Sequence, residues 1–378
     1  MKLPTILHLN DRISDESGPF ENARYINRTD FEVIICSYYD KNQDLIPFAD
    51  ETGMEIIGLG ARNLLDFGAW YRLLKIIKNK KVDIIHTHHH RTGLLGRLLG
   101  NLRSDVKVIH SFGSIYNKFS WYSRLGHILT TPFVDSFICV SKSVENSFGR
   151  FEEKLLKNKK IVIYNGIDIF EVDREKRNRT QREKMGIKRD EYLIGNVARL
   201  IALKDQKTLI QGVAEVIKAN PKVKLVIIGK GKLEKELKYL ALKLDIENNV
   251  IFTGFVERKR VYRILHSLDL FIMTSLWEGF CVAVLQAMAT GIPTILTKIN
   301  SFQETIVDGV SGKLIPIKNP IMLAEAIKEM INNPKMAKKM AELARKRVIE
   351  NFSLQKTAAN YEKFYNQLLN EKKTAKIA

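Results

Sequence analysis

The residue types that could carry chemistry collect where apolar, strand-like runs give way to helical ones. In SLWEGFCVAVLQAMATGIPTI (275–295) the run DLFIMTS ends in a Trp-Glu-Gly turn, and a helical pattern follows from Phe280 to Thr290. Gly279 permits close backbone approach there. The N–H groups of Phe280, Cys281 and Val282 fall at the start of that predicted helix, lack intrahelical acceptors and suit an anion. Glu278 beside that positive end can accept from a ligand hydroxyl. Gln286 follows eight residues later, about two helical turns, so both can face one elongated ligand. The same spacing also describes an ordinary strand–turn–helix unit with Glu and Gln exposed.

A second segment, GNVARLIALKDQKTLIQGV (195–213), sets Arg199 and Lys204 around the turn between a strand and a helix. Two cations so placed suit a diphosphate, and solvated surface cations are the plain alternative. Gly229 and Gly231 in IIGKGKLE follow a strand, but a lone GxG without a third glycine is a poor fingerprint. No GxxxxGK[ST] occurs, which excludes a P-loop, and no Asp-x-Asp occurs to hold a divalent ion on a diphosphate. The run HTHHH (86–90) has no cysteine nearby, and contiguous histidines at a strand end converge poorly on one tetrahedral ion, so no metal site is expected. His110 closes its strand in HSFGS, a place where a histidine is more often a hydrogen-bonding core residue than a catalyst.

These segments need a frame, and the alternation of short β-branched runs with helix-length stretches supplies it twice. Strands are expected at 5–9, 31–37, 55–59, 83–87, 107–111 and 136–141, then at 192–198, 224–229, 249–254, 269–275 and 293–297. Apolar runs without strict alternation fit parallel sheets covered on both faces. The reading is α/β: two doubly wound, Rossmann-like domains at 1–165 and 166–350, parted by the charged stretch 170–190, with a terminal helix over 351–378. Beyond Pro320 the pattern is helical only, and Ser353 is placed to cap the last helix.

Composition bounds the rest. The chain has 378 residues, 45% hydrophobic and 27% charged, which excludes a disordered or fibrous protein. No run of 18 uncharged apolar residues occurs, and the N-terminal apolar run is too short for a signal peptide. Three dispersed cysteines suggest a reducing cytoplasm and exclude a disulfide framework. The net charge of +19 attracts polyanions, carried in part by KNKK (78–81), KNKK (157–160) and EKRNRTQREK (175–184). An anionic membrane surface is one expected partner and solvated helix faces are the alternative. Nucleic acid is not expected, since no helix-turn-helix, RNP or zinc-finger spacing is present.

Taken in order, DIIHTH (83–88), HSFGS (110–114), VSKSV (140–144), YNGID (164–168), VARL…K (197–204), IIGKGKLEKEL, VIFTGFV, SLDLFIMTSLWEGF, AMATGIPTI, ETIVDGVSGKLI (304–315) and FSLQKTAANYEKFY (352–365) run over nearly the whole chain. Together they resemble the retaining glycosyltransferases of family 4, which have the GT-B fold. The resemblance implies two Rossmann-like domains facing across a cleft, the second binding a nucleotide sugar and the first an acceptor, with the terminal helix crossing back to the first domain. It implies that Arg199 and Lys204 neutralise the donor diphosphate and that Glu278, with Gly279, Phe280, Cys281 and Val282, grips the sugar and distal phosphate. Gln286 would meet the ribose, and Gly254 and Val256 would contact the nucleotide. His110 would touch the sugar near the reacting carbon, and Gly18 would lie near phosphate and acceptor. Two departures stand out: Gln286 replaces the family's usual second glutamate, and Ser17-Gly18-Pro19 replaces its double glycine.

The expected activity is metal-independent transfer of a hexose-type sugar from a nucleoside diphosphate, UDP ahead of GDP, to a hydroxyl of a glycan, polysaccharide or lipid-linked precursor of the cell envelope. No bound cofactor is expected, and the protein is placed in the cytoplasm or on the inner face of the membrane. A nucleotide-sugar 2-epimerase or a catalytically weak sugar-nucleotide-binding subunit are the alternatives.

Overall fold

The structure, a computed structural model, describes residues 2–13, 18–103, 105–156, 159–176 and 181–377. Ser17, Lys157 and Asn158 of the second KNKK run, and 177–180 of the basic stretch lie outside the described residues. Contacts divide the chain into two units, Met1–Gly166 with Leu354–Ala378, and Ile167–Ser353.

The first unit is built on a seven-stranded parallel sheet of β1 (Thr5–Asn10), β2 (Glu32–Ser37), β3 (Glu55–Gly58), β4 (Ile84–Thr87), β5 (Lys107–Phe112), β6 (Ser136–Cys139) and β7 (Lys160–Val162). Its order is β3-β2-β1-β4-β5-β6-β7. Successive side chains of a strand point to opposite faces, and here both faces are covered. Ile6, Ile35, Ile84 and Ile109 join one buried cluster, and Leu7, Ile34, Cys36 and Ile85 join the other. That is why these strands read as continuous apolar runs. The terminal helix Leu354–Ile377 contributes Tyr361, Phe364, Tyr365 and Leu368 to the first cluster.

The second unit holds six parallel strands, β8 (Tyr192–Val197), β9 (Val223–Ile228), β10 (Val250–Gly254), β11 (Leu270–Met273), β12 (Thr294–Thr297) and β13 (Lys313–Ile315). Their order is β10-β9-β8-β11-β12-β13. Helices Gln206–Ala219 and Pro320–Asn332 pack on the core through Leu209, Val213, Leu323 and Ile327. In each sheet the winding reverses direction once, between β1 and β4 and between β8 and β11. Connections leave such a point in opposite directions, so a crevice opens beyond the strand ends, where open α/β sheets bind ligands.

The sequence pattern omitted β7 and β13. Both are three-residue strands at a sheet edge, bonded to one neighbour only. A strand that short carries too little periodicity to read.

Candidate active site

The second unit gathers its polar residues at its reversal point. β8 ends at Val197 and leads to Arg199 and the short turn Ala202–Lys204, while β11 ends at Met273 and leads through Thr274 and Ser275 to Glu278. Two hydrogen-bonded ties hold these loops together. The fully buried Thr274 hydroxyl is 3.0 Å from the carbonyl oxygens of both Lys204 and Asp205, and the Leu276 N–H donates to the Leu203 carbonyl at 2.9 Å. The Lys204 ammonium then meets Glu278 Oε1, which also accepts from the Ser275 hydroxyl at 2.7 Å. Both contacts fall on Oε1.

Burial works against the Lys204 charge, but Cys281 and Glu278 outweigh it, and its pKa is raised above the ordinary value. The Cys281 thiol is itself pushed up to about 11, first by burial and then by Glu278. It is therefore neutral at pH 7, and Glu278 is the partner that keeps Lys204 charged. Arg199 is exposed, and its carbonyl accepts from Gln206 Nε2 at 3.0 Å. The cationic side chain thus reaches solvent from an anchored backbone.

The helix after Glu278 starts later than its pattern suggests. It spans Val282–Ala289, with Cys281 in the extended N-cap conformation, because Gly279 and Phe280 are still completing the turn. Of the three N–H groups expected to open the helix, only that of Val282 lies within it. Gln286, half-buried on this helix, is 3.5 Å from the hydroxyl of Tyr262 through Nε2. Gly254 ends β10 in the left-handed region at φ 68°, and Val256 just beyond it is buried.

In the first unit His110 lies near the end of β5, buried, with Nδ1 2.8 Å from the Thr87 hydroxyl. That hydroxyl donates to the Ile109 carbonyl at 3.1 Å, so it must accept from His110. The proton is thereby assigned to Nδ1, and Nε2 keeps its lone pair. Burial, and then the charge of Arg97, hold the His110 pKa well below 6.5, so the ring is neutral. Arg97 is fully buried and donates to Thr130 Oγ1 and His127 Nδ1, both at 2.8 Å. Gly18 opens the helix Gly18–Arg24, which follows β1.

With this geometry in view, the pattern of Glycosyltransferase Family 4 matches residues 20–170, and that of Glycosyl transferases group 1 matches residues 177–347. The chain belongs to the family 4 glycosyltransferases. It is similar to the UDP-Gal:alpha-D-GlcNAc-diphosphoundecaprenol alpha-1,3-galactosyltransferase of Escherichia coli, with 27% identity over 320 residues and 79% of each chain covered. It is also similar to the N-acetyl-alpha-D-glucosaminyl L-malate synthase of Bacillus anthracis, with 26% identity over 324 residues, 81% of this chain and 80% of the relative. Its fold is that of Anabaena HepE, solved in complex with UDP and glucose, at a TM-score of 0.81 and 20% identity over 96% of this chain and all of that one.

Two features of this glycosyltransferase escaped the sequence reading. A Cβ on Gly229 would meet the Ala198 carbonyl oxygen at 2.1 Å, and one on Gly231 the Leu200 carbonyl oxygen at 2.3 Å. These glycines let the loop after β9 press against the backbone that carries Arg199, a role their weak phosphate-loop pattern did not suggest. The second feature is a histidine cluster at the reversal point of the first sheet. His8 of β1 joins His86 and His88, their ring nitrogens lying within 4.8 Å of one another. In the sequence residues 86–90 stand out as a run, whereas His8 sits alone in an apolar strand.

The contacts within this cluster mark it as a tie. His8 Nδ1 lies 2.9 Å from His88 Nε2, while His86 uses both nitrogens, at 2.7 Å each, on the Tyr365 hydroxyl and the Ser111 hydroxyl. Imidazoles already occupied in this way have a structural use, fastening the terminal helix to β1, β4 and β5. The cluster is nonetheless the set of described residues with the spacing to hold an ion.

Proposed function

We propose that this glycosyltransferase moves a sugar from a UDP-sugar to a hydroxyl acceptor with retention of the anomeric configuration and without a metal ion. The observation that carries the proposal is the coupled pair Lys204–Glu278 at the reversal point of the second sheet, with Arg199 beside it. Cations aimed at a leaving diphosphate stabilise the charge that develops as the sugar departs. The absence of Asp-x-Asp from the sequence agrees with that division of labour. In the reaction we infer, the bond from the anomeric carbon to the phosphate oxygen breaks as the acceptor oxygen bonds to the same face. The acceptor proton passes to the departing diphosphate, so no protein nucleophile is needed.

In this reading Arg199 and Lys204 receive the diphosphate, and Glu278 Oε2 accepts from a sugar hydroxyl. The backbone from Gly279 to Val282 meets the distal phosphate, while Gly254, Val256 and Gln286 hold the nucleoside. The first unit takes the acceptor, with Gly18 near it and the neutral His110 offering Nε2 to a sugar hydroxyl. A lipid-linked sugar is the acceptor class we favour, since the Escherichia coli relative is named for one and the net charge of +19 suits an anionic membrane. Three buried free cysteines suit the reducing cytoplasmic side of that membrane.

The test is turnover of a panel of UDP- and GDP-sugars in EDTA, with the anomeric configuration of the product read by NMR. A retained glycoside from a UDP-sugar supports the proposal. Loss of activity on chelation with recovery by Mg²⁺ or Mn²⁺, an inverted product, or an epimerised donor would refute it.

A further inference from the structure

Helix Trp121–Thr130 turns Ser123, His127 and Thr130 inward, which leaves Trp121, Leu125 and Leu129 outward at four-residue spacing with Tyr122 beside them. The neighbouring helix His90–Gly100 and the residues just past its end present Leu98 and Leu102 in the same way. These six side chains are between 45% and 76% exposed. The two helices pack side by side, since a Cβ on Gly126 would meet Leu94 Cδ1 at 3.2 Å, and Leu98 lies one turn beyond Leu94. Scattered apolar residues on a surface need no explanation, but a contiguous patch does.

The charge around the patch selects what covers it. Neither helix contains an Asp or Glu, and Arg91 stands exposed in the first turn of His90–Gly100. Arg91 and Lys118 stand exposed on this side, while Arg97 is buried and Arg103, Lys107 and Arg124 are paired with Asp105, Asp135 and Glu152. A second copy presenting the same face would bring like charges together across the two-fold axis. An anionic leaflet attracts Arg91 and Lys118 and takes up the apolar stripe, and Trp and Tyr are the side chains that settle at headgroup level.

We infer that the face formed by Trp121–Thr130 and the outer stripe of His90–Gly100 docks on an anionic lipid bilayer. The inference rests on the proposed lipid-linked acceptor for its purpose, and it names the surface that brings the enzyme to it.

The full chain is to be co-sedimented with vesicles of phosphatidylcholine alone and of phosphatidylcholine with phosphatidylglycerol. Binding is expected only to the anionic vesicles and is expected to weaken with salt. Trp121→Ser with Leu125→Ser should reduce vesicle partition by about tenfold or more, because two large side chains lose their burial in the lipid. Arg91→Gln should weaken it by about fivefold and reduce its salt dependence. Both sites are exposed, so the melting temperature should hold. Brominated lipid should quench tryptophan fluorescence in the native chain and much less in Trp121→Phe.

Vesicle-free hydrolysis of UDP-sugar by the same variants reads the enzymatic proposal separately. Hydrolysis retained with vesicle binding lost supports this face. Vesicle binding that depends on Trp121 in a chain that turns over no nucleotide sugar removes the functional reading and leaves the face standing. Equal partition of the native and doubly substituted chains would overturn the inference. So would a dimer that the double substitution dissolves, since the occupant would then be a second copy.

Discussion

Removing Lys204 should damage stability and rate together, and its partner allows the two effects to be separated. The Lys204 and Glu278 side chains are only 13% and 11% exposed. In Lys204→Ala, Glu278 keeps the Ser275 hydroxyl but loses its counter-ion. Breaking a sealed pair costs about 3–5 kcal/mol, and some access to water here brings the expectation to about 2–3 kcal/mol. For a domain of this size that lowers the melting temperature by roughly 4–12 °C. The rate loss has a different origin. A missing stabiliser of developing charge costs about 2.7–4 kcal/mol, or about 10²- to 10³-fold in kcat/KM. Lys204→Met with Glu278→Gln removes both charges, so stability should recover by about 1–2 kcal/mol while the rate stays low. Arg199→Ala, at an exposed side chain, should lose about 10²-fold in rate with little change in melting. Thermal unfolding and steady-state transfer from a UDP-sugar measure the two axes. If Lys204→Ala melts early yet keeps kcat/KM within about threefold of the native enzyme, the pair is a structural tie and the diphosphate role assigned to it is wrong.

Gln286→Glu should tighten UDP binding about 5- to 30-fold in calorimetry, with little gain for 2′-deoxy-UDP, because a carboxylate accepts from both ribose hydroxyls. Equal gains for the two ligands would remove the ribose contact. Gly231→Ala should destabilise the second unit by about 1–3 kcal/mol and weaken UDP binding, since its Cβ would press on the Leu200 carbonyl beside Arg199; unchanged affinity would show that the loop does not position that arginine. Acid should unfold the first unit first, a difference that hydrogen exchange at pH 7 and pH 5 can resolve. Burial holds His8 at about 3, and burial with Arg97 and His90 holds His127 at about 2. Below the ordinary histidine value of 6.5 the unfolded chain binds the protons that the native one refuses. Stability is therefore complete above about pH 6.5 and falls on acidification by up to about 1.4 kcal/mol per pH unit for each such histidine. Of the eight histidines only His266 lies in the second unit, so equal acid sensitivity of the two units would contradict this account.

What was legible in the sequence follows from what each signal depends on. The central strands announce themselves because both of their faces are buried, which makes Ile6 and Leu7, or Ile84 and Ile85, apolar side by side although they serve opposite clusters. The same rule hides the edges. Lys160–Val162 and Lys313–Ile315 need only one bonded neighbour and carry a lysine each, so neither the length nor the composition of a buried strand appears. Helix starts blur for a similar reason, since the pattern of hydrophobic residues begins at Phe280 while helical backbone begins only at Val282.

The site divides along a different line. Arg199 and Lys204 stand out in the sequence because they follow β8 at a turn, Glu278 because it follows β11 at another, and Gln286 because it lies two helical turns beyond Glu278. Their coupling was not readable, since the Lys204–Glu278 contact joins positions 74 residues apart and depends on β8 and β11 being neighbours. The same adjacency explains His8. On β1 it looks like one more residue of a buried strand, and only the pairing of β1 with β4, which sets His8 directly opposite His86, turns it into part of a cluster. Gly229 and Gly231 add the negative case, because their function is to have no side chain where another backbone passes, and no motif records the identity of that neighbour. Residues whose own chemistry is distinctive can thus be put forward by type and local spacing. Residues that act by making room, or by meeting a partner across the reversal point of a sheet, become visible only once the strand order is known.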